Sequence, residues 1–305
     1  LVVLPICIYI IIGIIARRLN WIKDEGIKQT NKLLYMLFFP IVMFNNIYNS
    51  HLAETFNLKL ILYLLTLSLI FYIILILLVP VITKDKPTQA SIVQGIIRGN
   101  LILFAIPIIS TIYGETNTGT VSMCVTFVVP FYNILCVILL ESKRGHDIRF
   151  KKLIVNILKN PIIVGALVGF IIKSLKINLP NVIEDILGNL GAVLTPIVLI
   201  LLGASLKFQS IKKHSLYLAF VCTVKLVISP LLFITFGYLL GFRGQELTTI
   251  FAISCVPTAV SSYVMAKEME ANGDLAGEIV TFTSLFSIFT IFIWLIILTN
   301  LNILL

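Results

Sequence analysis

Charged residues in this chain fall almost entirely in short connectors, and between them stand ten apolar runs, each near the 20 or so residues that a helix needs to cross a bilayer. In hydrocarbon every backbone donor and acceptor must be satisfied within the protein, so a bundle of helices is the architecture that this pattern allows. The runs cover 1–16, 33–49, 58–83, 90–113, 119–140, 157–176, 187–206, 215–241, 246–266 and 275–298. Only 12% of the 305 residues are charged, against about a quarter in soluble domains. The expected fold is an all-α integral membrane protein with ten transmembrane helices and almost no length left for a soluble domain.

A net charge of +9 would point to nucleic acid in a soluble chain; here it reports which side of the membrane the Lys and Arg residues occupy, and no nucleic-acid partner is expected. Seventeen of the 23 basic residues lie in connectors after odd-numbered runs, among them Arg17, Arg18, Lys143, Arg144, Lys212 and Lys213. Four, namely Lys59, Lys173, Lys176 and Arg243, lie in connectors after even-numbered runs. The odd connectors are therefore expected in the cytoplasm, with both termini outside the cell membrane. The first run leads into Arg17 and Arg18 with no small-residue cleavage site, so it reads as a retained span. Because the chain opens on Leu1 rather than Met, a few native residues are expected ahead of it.

The second half of the chain repeats the first. Pro5-Ile6 with Gly13 returns as Pro161-Ile162 with Gly169, and Pro40-Ile41-Val42 returns as Pro196-Ile197-Val198, both 156 positions later. Val125-Thr126-Phe127 returns as Val280-Thr281-Phe282 after 155. Five spans is an odd number, so the second copy (161–305) must be inverted relative to the first (1–141), with 142–160 as a short basic connector. Inverted repeats place a substrate site at their interface near the bilayer midplane, and interrupted spans at matching positions mark it. Pro107 in the fourth run and Pro257 in the ninth, 150 apart, are the expected interruptions, since a mid-helix proline removes a donor and clashes with the preceding turn. The half-helices beginning there would aim two N-termini at one point, which favours an anion.

The same residues resemble the auxin efflux carrier family, which includes the plant PIN proteins and many bacterial organic-acid permeases. The resemblance runs through all ten spans. It rests on RGNLILFAIP from Arg98, NPIIVGALVGF from Asn160, TPIVLILLGASL from Thr195 and CVPTAVSSYVMAKEM from Cys255, in that order and spacing. The resemblance implies a scaffold of spans one, two, six and seven, and a transport domain of spans three to five and eight to ten that holds two crossed helices. It also implies elevator-like alternating access and homodimers. The family's substrate-carboxylate Asn maps onto Asn100 and its crossover prolines onto Pro107 and Pro257. Plant members have a long hydrophilic loop after the fifth span; here 141–160 is short.

Polar residues within runs are the remaining candidates. Lys225 lies about 15 Å deep at 1.5 Å per residue, where an ionisable group serves a cavity or partner or snorkels along its helix. Arg98 is nearer the cytoplasmic end, for snorkelling, structural pairing or the mouth of a site. Asn100 can donate to a carboxylate or to a neighbouring helix. Asn45, Asn46 and Asn133 can line a cavity or join helices. Thr126, Ser254, Thr258, Ser261 and Ser262 can repair the breaks or touch ligand. Gly165 and Gly169 form a GxxxG pair suited to close packing.

No carboxylate falls at mid-depth: Glu115, Glu141, Glu246 and Glu278 are the nearest. Obligatory cation coupling usually needs one, so uniport or weakly coupled export of a small organic anion is the expected function, with the lipid bilayer as its setting. An intramembrane enzyme would need a nucleophile with a base, or paired acids, at depth, and none is present. His51, His146 and His214 are scattered, and the five cysteines show no metal or disulfide spacing, so no metal or cofactor is expected. A sensor that binds an organic acid without moving it is the alternative.

Overall fold

The computed structural model describes residues 3–49, 57–114, 118–144, 155, 158–205 and 208–301. Glu115, the Asn46 and Lys212 side chains and most of the basic connector lie outside the described residues. Fourteen helices make up the described chain: α1 Val3–Arg18, α2 Asp24–Leu33, α3 Phe39–Tyr48, α4 Leu58–Ile82, α5 Lys86–Ile97, α6 Leu101–Tyr113, α7 Gly119–Lys143, α8 Pro161–Ser174, α9 Asn181–Ser205, α10 Phe208–Thr223, α11 Ser229–Leu239, α12 Gly244–Cys255, α13 Ser261–Glu268 and α14 Gly273–Asn300. Five helical stretches, α4, α7, α9, His214–Leu239 and α14, are long and apolar enough to cross a membrane. Their outer faces carry exposed Leu, Ile and Phe in rows, such as Ile70, Ile73, Ile74 and Leu77 on α4, as lipid-facing helices do.

Helix starts follow local chemistry. The Asn57, Asp85, Asn160 and Asn272 side chains accept from the amides of Leu60, Thr88, Ile162 and Leu275, each satisfying one of the orphan donors of a first turn. Pro161 follows its cap directly, where its missing donor costs nothing.

Two corrections to the expected element pattern appear. The stretch 24–32, expected as a connector, forms α2 and runs without a break through a π turn at Leu34–Phe38 into α3. It is amphipathic: Ile27 and Asn31 are buried while Asp24, Glu25 and Lys28 face outward. A second π turn, Val224–Ile228, joins α10 to α11 in the same way.

Close helix packing is reciprocal. α1 lies along α9, and α3 lies along α8. A Cβ built on Gly13 would stand 2.0 Å from the Ile200 carbonyl oxygen, and one on Gly169 would stand 2.8 Å from the Phe44 carbonyl oxygen. Gly203 against Ile10 and Gly165 against Pro40 are equally tight, at 2.0 and 2.3 Å. Only glycine allows these backbones to approach so closely, which is how membrane helices maximise dispersion contact.

Candidate functional site

α5 stops at Ile97 and α6 starts at Leu101; α12 stops at Cys255 and α13 starts at Ser261. The extended segments between them cross. Gly99 and Thr258 form an antiparallel bridge, in which the Asn100 amide donates to the Pro257 carbonyl at 2.8 Å and the Ala259 amide donates to the Arg98 carbonyl at 2.9 Å. Each break thus satisfies the backbone groups that the other frees. Local sequence favours both: Gly99 and Asn100 are poor helix formers, and Pro257 forces Val256 into an extended conformation (φ −69°, ψ 149°).

Pro257 therefore marks its break as expected, whereas Pro107 does not. It lies inside α6, seven residues after Asn100, and the interruption falls at Arg98–Asn100 instead. A proline within a membrane helix is tolerable where the carbonyl it deprives of a donor borders a cavity rather than lipid; that carbonyl belongs to Leu103, which lines the cavity beside the crossing. The true pair of breaks, Gly99 and Thr258, is 159 apart in sequence. That is nearer to the 156 of the other matches than the prolines are.

Beside the crossing lies a cavity of about 1400 Å³. Arg98, Gly99, Asn100, Pro107, Asn45 and Thr126 line it. No side chain caps the N-terminus of α6 or of α13, and Leu101, Ile102 and Leu103 of α6's first turn line the cavity together with Val260 and Ser261 at the start of α13. Partial positive charge from both helix ends thus borders the space that Arg98 also lines. Arg98 is buried, and its Nη1 has only the Met265 thioether as a side-chain acceptor. The Asn100 Nδ2 is enclosed without an acceptor. A half-turn about the Cβ–Cγ bond exchanges its oxygen and nitrogen, which presents the donor to the cavity.

Other expected residues stand away from it. Lys225 is 2% exposed and sits in the second π turn, against Gly99 but not on the cavity wall. Ser254 donates to the Phe251 carbonyl at 3.0 Å. Thr258 donates to the Gly95 carbonyl at 2.6 Å and accepts no ligand-facing role, being wholly enclosed. Pro257 holds the crossing through its carbonyl. Asn133 donates to the Met43 thioether at 2.8 Å and joins α7 to α3. These five build the crossing and its support; they do not line the space beside it. The physical reason is that a break needs its own polar groups satisfied before any are left for a ligand.

Sequence reasoning missed several lining residues. Thr118 and Ser122 precede the expected Thr126 at steps of four at the start of α7, and Gly188, Gly191 and Thr195 follow at steps of three and four on α9; this helical spacing of small and hydroxyl residues was the available signal. Gln245 and Asn49 complete one end. It also missed a buried His214–Glu278 pair at 2.8 Å, whose members are 64 residues apart.

At the other end of the bundle the described contacts are closed. The Asn160 Nδ2 donates to the Tyr35 hydroxyl at 2.7 Å, and Arg144 bridges Glu141 and Glu270 at 3.3 and 2.9 Å.

An apolar helical bundle with two broken helices crossing beside a partly enclosed cavity defines a carrier of the polytopic membrane class. The chain belongs to the membrane transport protein family, whose family model matches residues 2–295, nearly the whole length. It is similar to an uncharacterized transporter of Methanocaldococcus jannaschii, 23% identical over 98% of both chains. It is also similar to an uncharacterized transporter of Methanothermobacter thermautotrophicus, 22% identical over 97% of both.

Proposed function

We propose that this transporter moves small organic anions, carboxylates foremost, across the cell membrane. The observation that carries this reading is a cavity lined by Arg98 and by the first residues of two uncapped helices, with no acidic side chain among its described lining residues. A bound cation would meet the positive ends of two helices there, whereas a carboxylate finds donors. Asn100 adds an amide donor, and the stripe of Thr118, Ser122 and Thr126 gives the opposite wall further hydroxyls.

The ten apolar segments are read as two inverted copies of five. The reciprocal packing of α1 on α9 and α3 on α8 supports this, because a two-fold axis in the membrane plane exchanges the two pairs. Gly13 against Ile200 and Gly169 against Phe44 stand 156 residues apart at both partners. In this reading α1, α2, α3, α8 and α9 form a scaffold, and the crossing with its supporting helices is the moving body, sliding elevator-fashion to expose the cavity on alternate sides. Two copies of the chain pair through their scaffolds. Asn49, Thr118, Gly188 and Gln245, which line the cavity, lie at span ends or connectors on the side of the even connectors; with those connectors outside, the state is read as outward-facing, with the Tyr35–Asn160 and Arg144–Glu270 contacts on the cytoplasmic side.

Purified protein in proteoliposomes preloaded with acetate, benzoate or succinate tests the reading by counterflow of the labelled acid. Saturable exchange of at least one acid is expected, together with a rise in Tm on its addition. Stabilisation by organic cations or neutral sugars and by no carboxylate would sink it.

A further inference from the structure

The crossing sorts helix ends by sign. The N-termini of α6 and α13 border the cavity, while α5 and α12 end at the same bridge and their last residues do not line the cavity. Half-helix C-termini and unwound carbonyls carry partial negative charge, and in carriers with crossed helices such groups are where a free coupling cation binds. In this chain a lysine lies at the bridge where those helices end.

Lys225 reaches it from the π turn Val224–Ile228, which packs against α5, α12 and α14. A Cβ on Gly99 would lie 3.4 Å from the Lys225 Nζ, so the ammonium sits against the extended segment itself. The titratable groups facing it are the thiols of Cys255, the last residue of α12, and Cys136 of α7. Among the described residues no carboxylate lies within ion-pair distance, and its side chain makes no hydrogen bond to another side chain. On the α14 side, the Trp294 Nε1–H donates to the Leu226 carbonyl at 3.1 Å and holds the turn. A π turn re-aims one side chain relative to a regular helix, and such turns recur at functional sites. A buried ammonium with no carboxylate partner persists only where other negative charge answers it; the two C-termini are what the structure offers.

We propose that Lys225 is a tethered coupling cation. Its ammonium neutralises the two half-helix C-termini in place of a free Na⁺, so the crossing is assembled for anion binding without any small cation from solution. This rests on the anion-transport reading for its consequence in flux, but the cation place itself is a separate claim. Lys225 is on this account a positioning residue: it touches the crossing, not the substrate.

Lys225→Ala empties the place and leaves room for a small cation. Wild-type protein is expected to keep the same Tm, and the same counterflow of acetate, benzoate or succinate, when Na⁺ is replaced by choline at constant ionic strength. Lys225→Ala is expected to lose about tenfold or more of that flux in choline, and to regain flux and Tm saturably with methylammonium. Lys225→Met, which keeps the bulk and drops the charge, is expected to lose flux and gain nothing from methylammonium. A wild type that needs Na⁺ overturns the proposal, as does a Lys225→Ala protein that is fully active in choline or indifferent to methylammonium in Tm. Should Lys225→Ala fail to fold, full activity of Lys225→Met in choline overturns it and loss of activity upholds it. If no carboxylate moves through the wild type while methylammonium still stabilises Lys225→Ala saturably, the tethered cation stands and the anion-transport reading falls.

Discussion

Gly99 and Thr258 face each other across a single antiparallel bridge, the point at which two interrupted helices from opposite halves of the chain exchange backbone hydrogen bonds. Thr258 adds a third link, from its hydroxyl to the Gly95 carbonyl at 2.6 Å. Thr258→Val keeps the shape and removes that donor, leaving a buried carbonyl short of a partner. A loss of about 1 kcal/mol is expected, read as a lower Tm with little change in affinity for any ligand of the cavity.

Gly99→Ala tests the crossing sterically. The added methyl would stand 2.6 Å from the Val256 Cγ2 and 3.2 Å from a Leu101 Cδ. Overpacking of this kind costs about 1–3 kcal/mol, and here it strikes both breaks at once. Transport and Tm are both expected to fall; a fully active, equally stable variant would show that the crossing is looser than the bridge implies.

Asn100→Ala separates binding from folding. The Nδ2 has no acceptor in the protein, so truncation removes an unsatisfied donor and should leave Tm unchanged or slightly raised. A lost hydrogen bond to a charged carboxylate would cost about 1.5–3 kcal/mol, roughly ten- to a hundredfold in affinity. Asn133→Ala should behave in the opposite way, lowering Tm through its lost contact with Met43 and sparing affinity. Thermal shift and ligand titration on the two variants side by side decide whether the roles are reversed.

Gly13→Val and Gly169→Val should be alike in effect, because both glycines press on a carbonyl of the facing helix, at 2.0 and 2.8 Å. Each is expected to abolish or severely reduce folded protein in detergent, as judged by size exclusion. A control at Gly188, where a Cβ meets nothing within 4 Å, should be tolerated for stability.

Orientation is checked by labelling. Cysteines placed at Ser142 and at Asn57 lie at opposite ends of the bundle; the first should react only from the cytoplasm and the second only from outside. The reverse pattern would overturn the orientation and leave the packing of the helices untouched.

The apolar helices, the close-packing pair Gly165 and Gly169 and the existence of two interruptions were legible in the chain, because bilayer solvation acts on each segment separately and imposes length, composition and breaker residues locally. Pro257 was such a local signal. Pro107 misled, since a proline's effect on a helix depends on where the carbonyl it deprives of a donor, here that of Leu103, comes to lie. The tertiary structure alone decided that Gly99 and Asn100 form the first break, because what stabilises that break is the carbonyl of Pro257 and the amide of Ala259, some 160 residues away. It likewise put Lys225 against Gly99 at the bridge and Arg98 on the cavity wall, where only their depths were legible in the sequence. Depth along a span follows from counting residues; which side of a crossing a side chain reaches is set by helix packing.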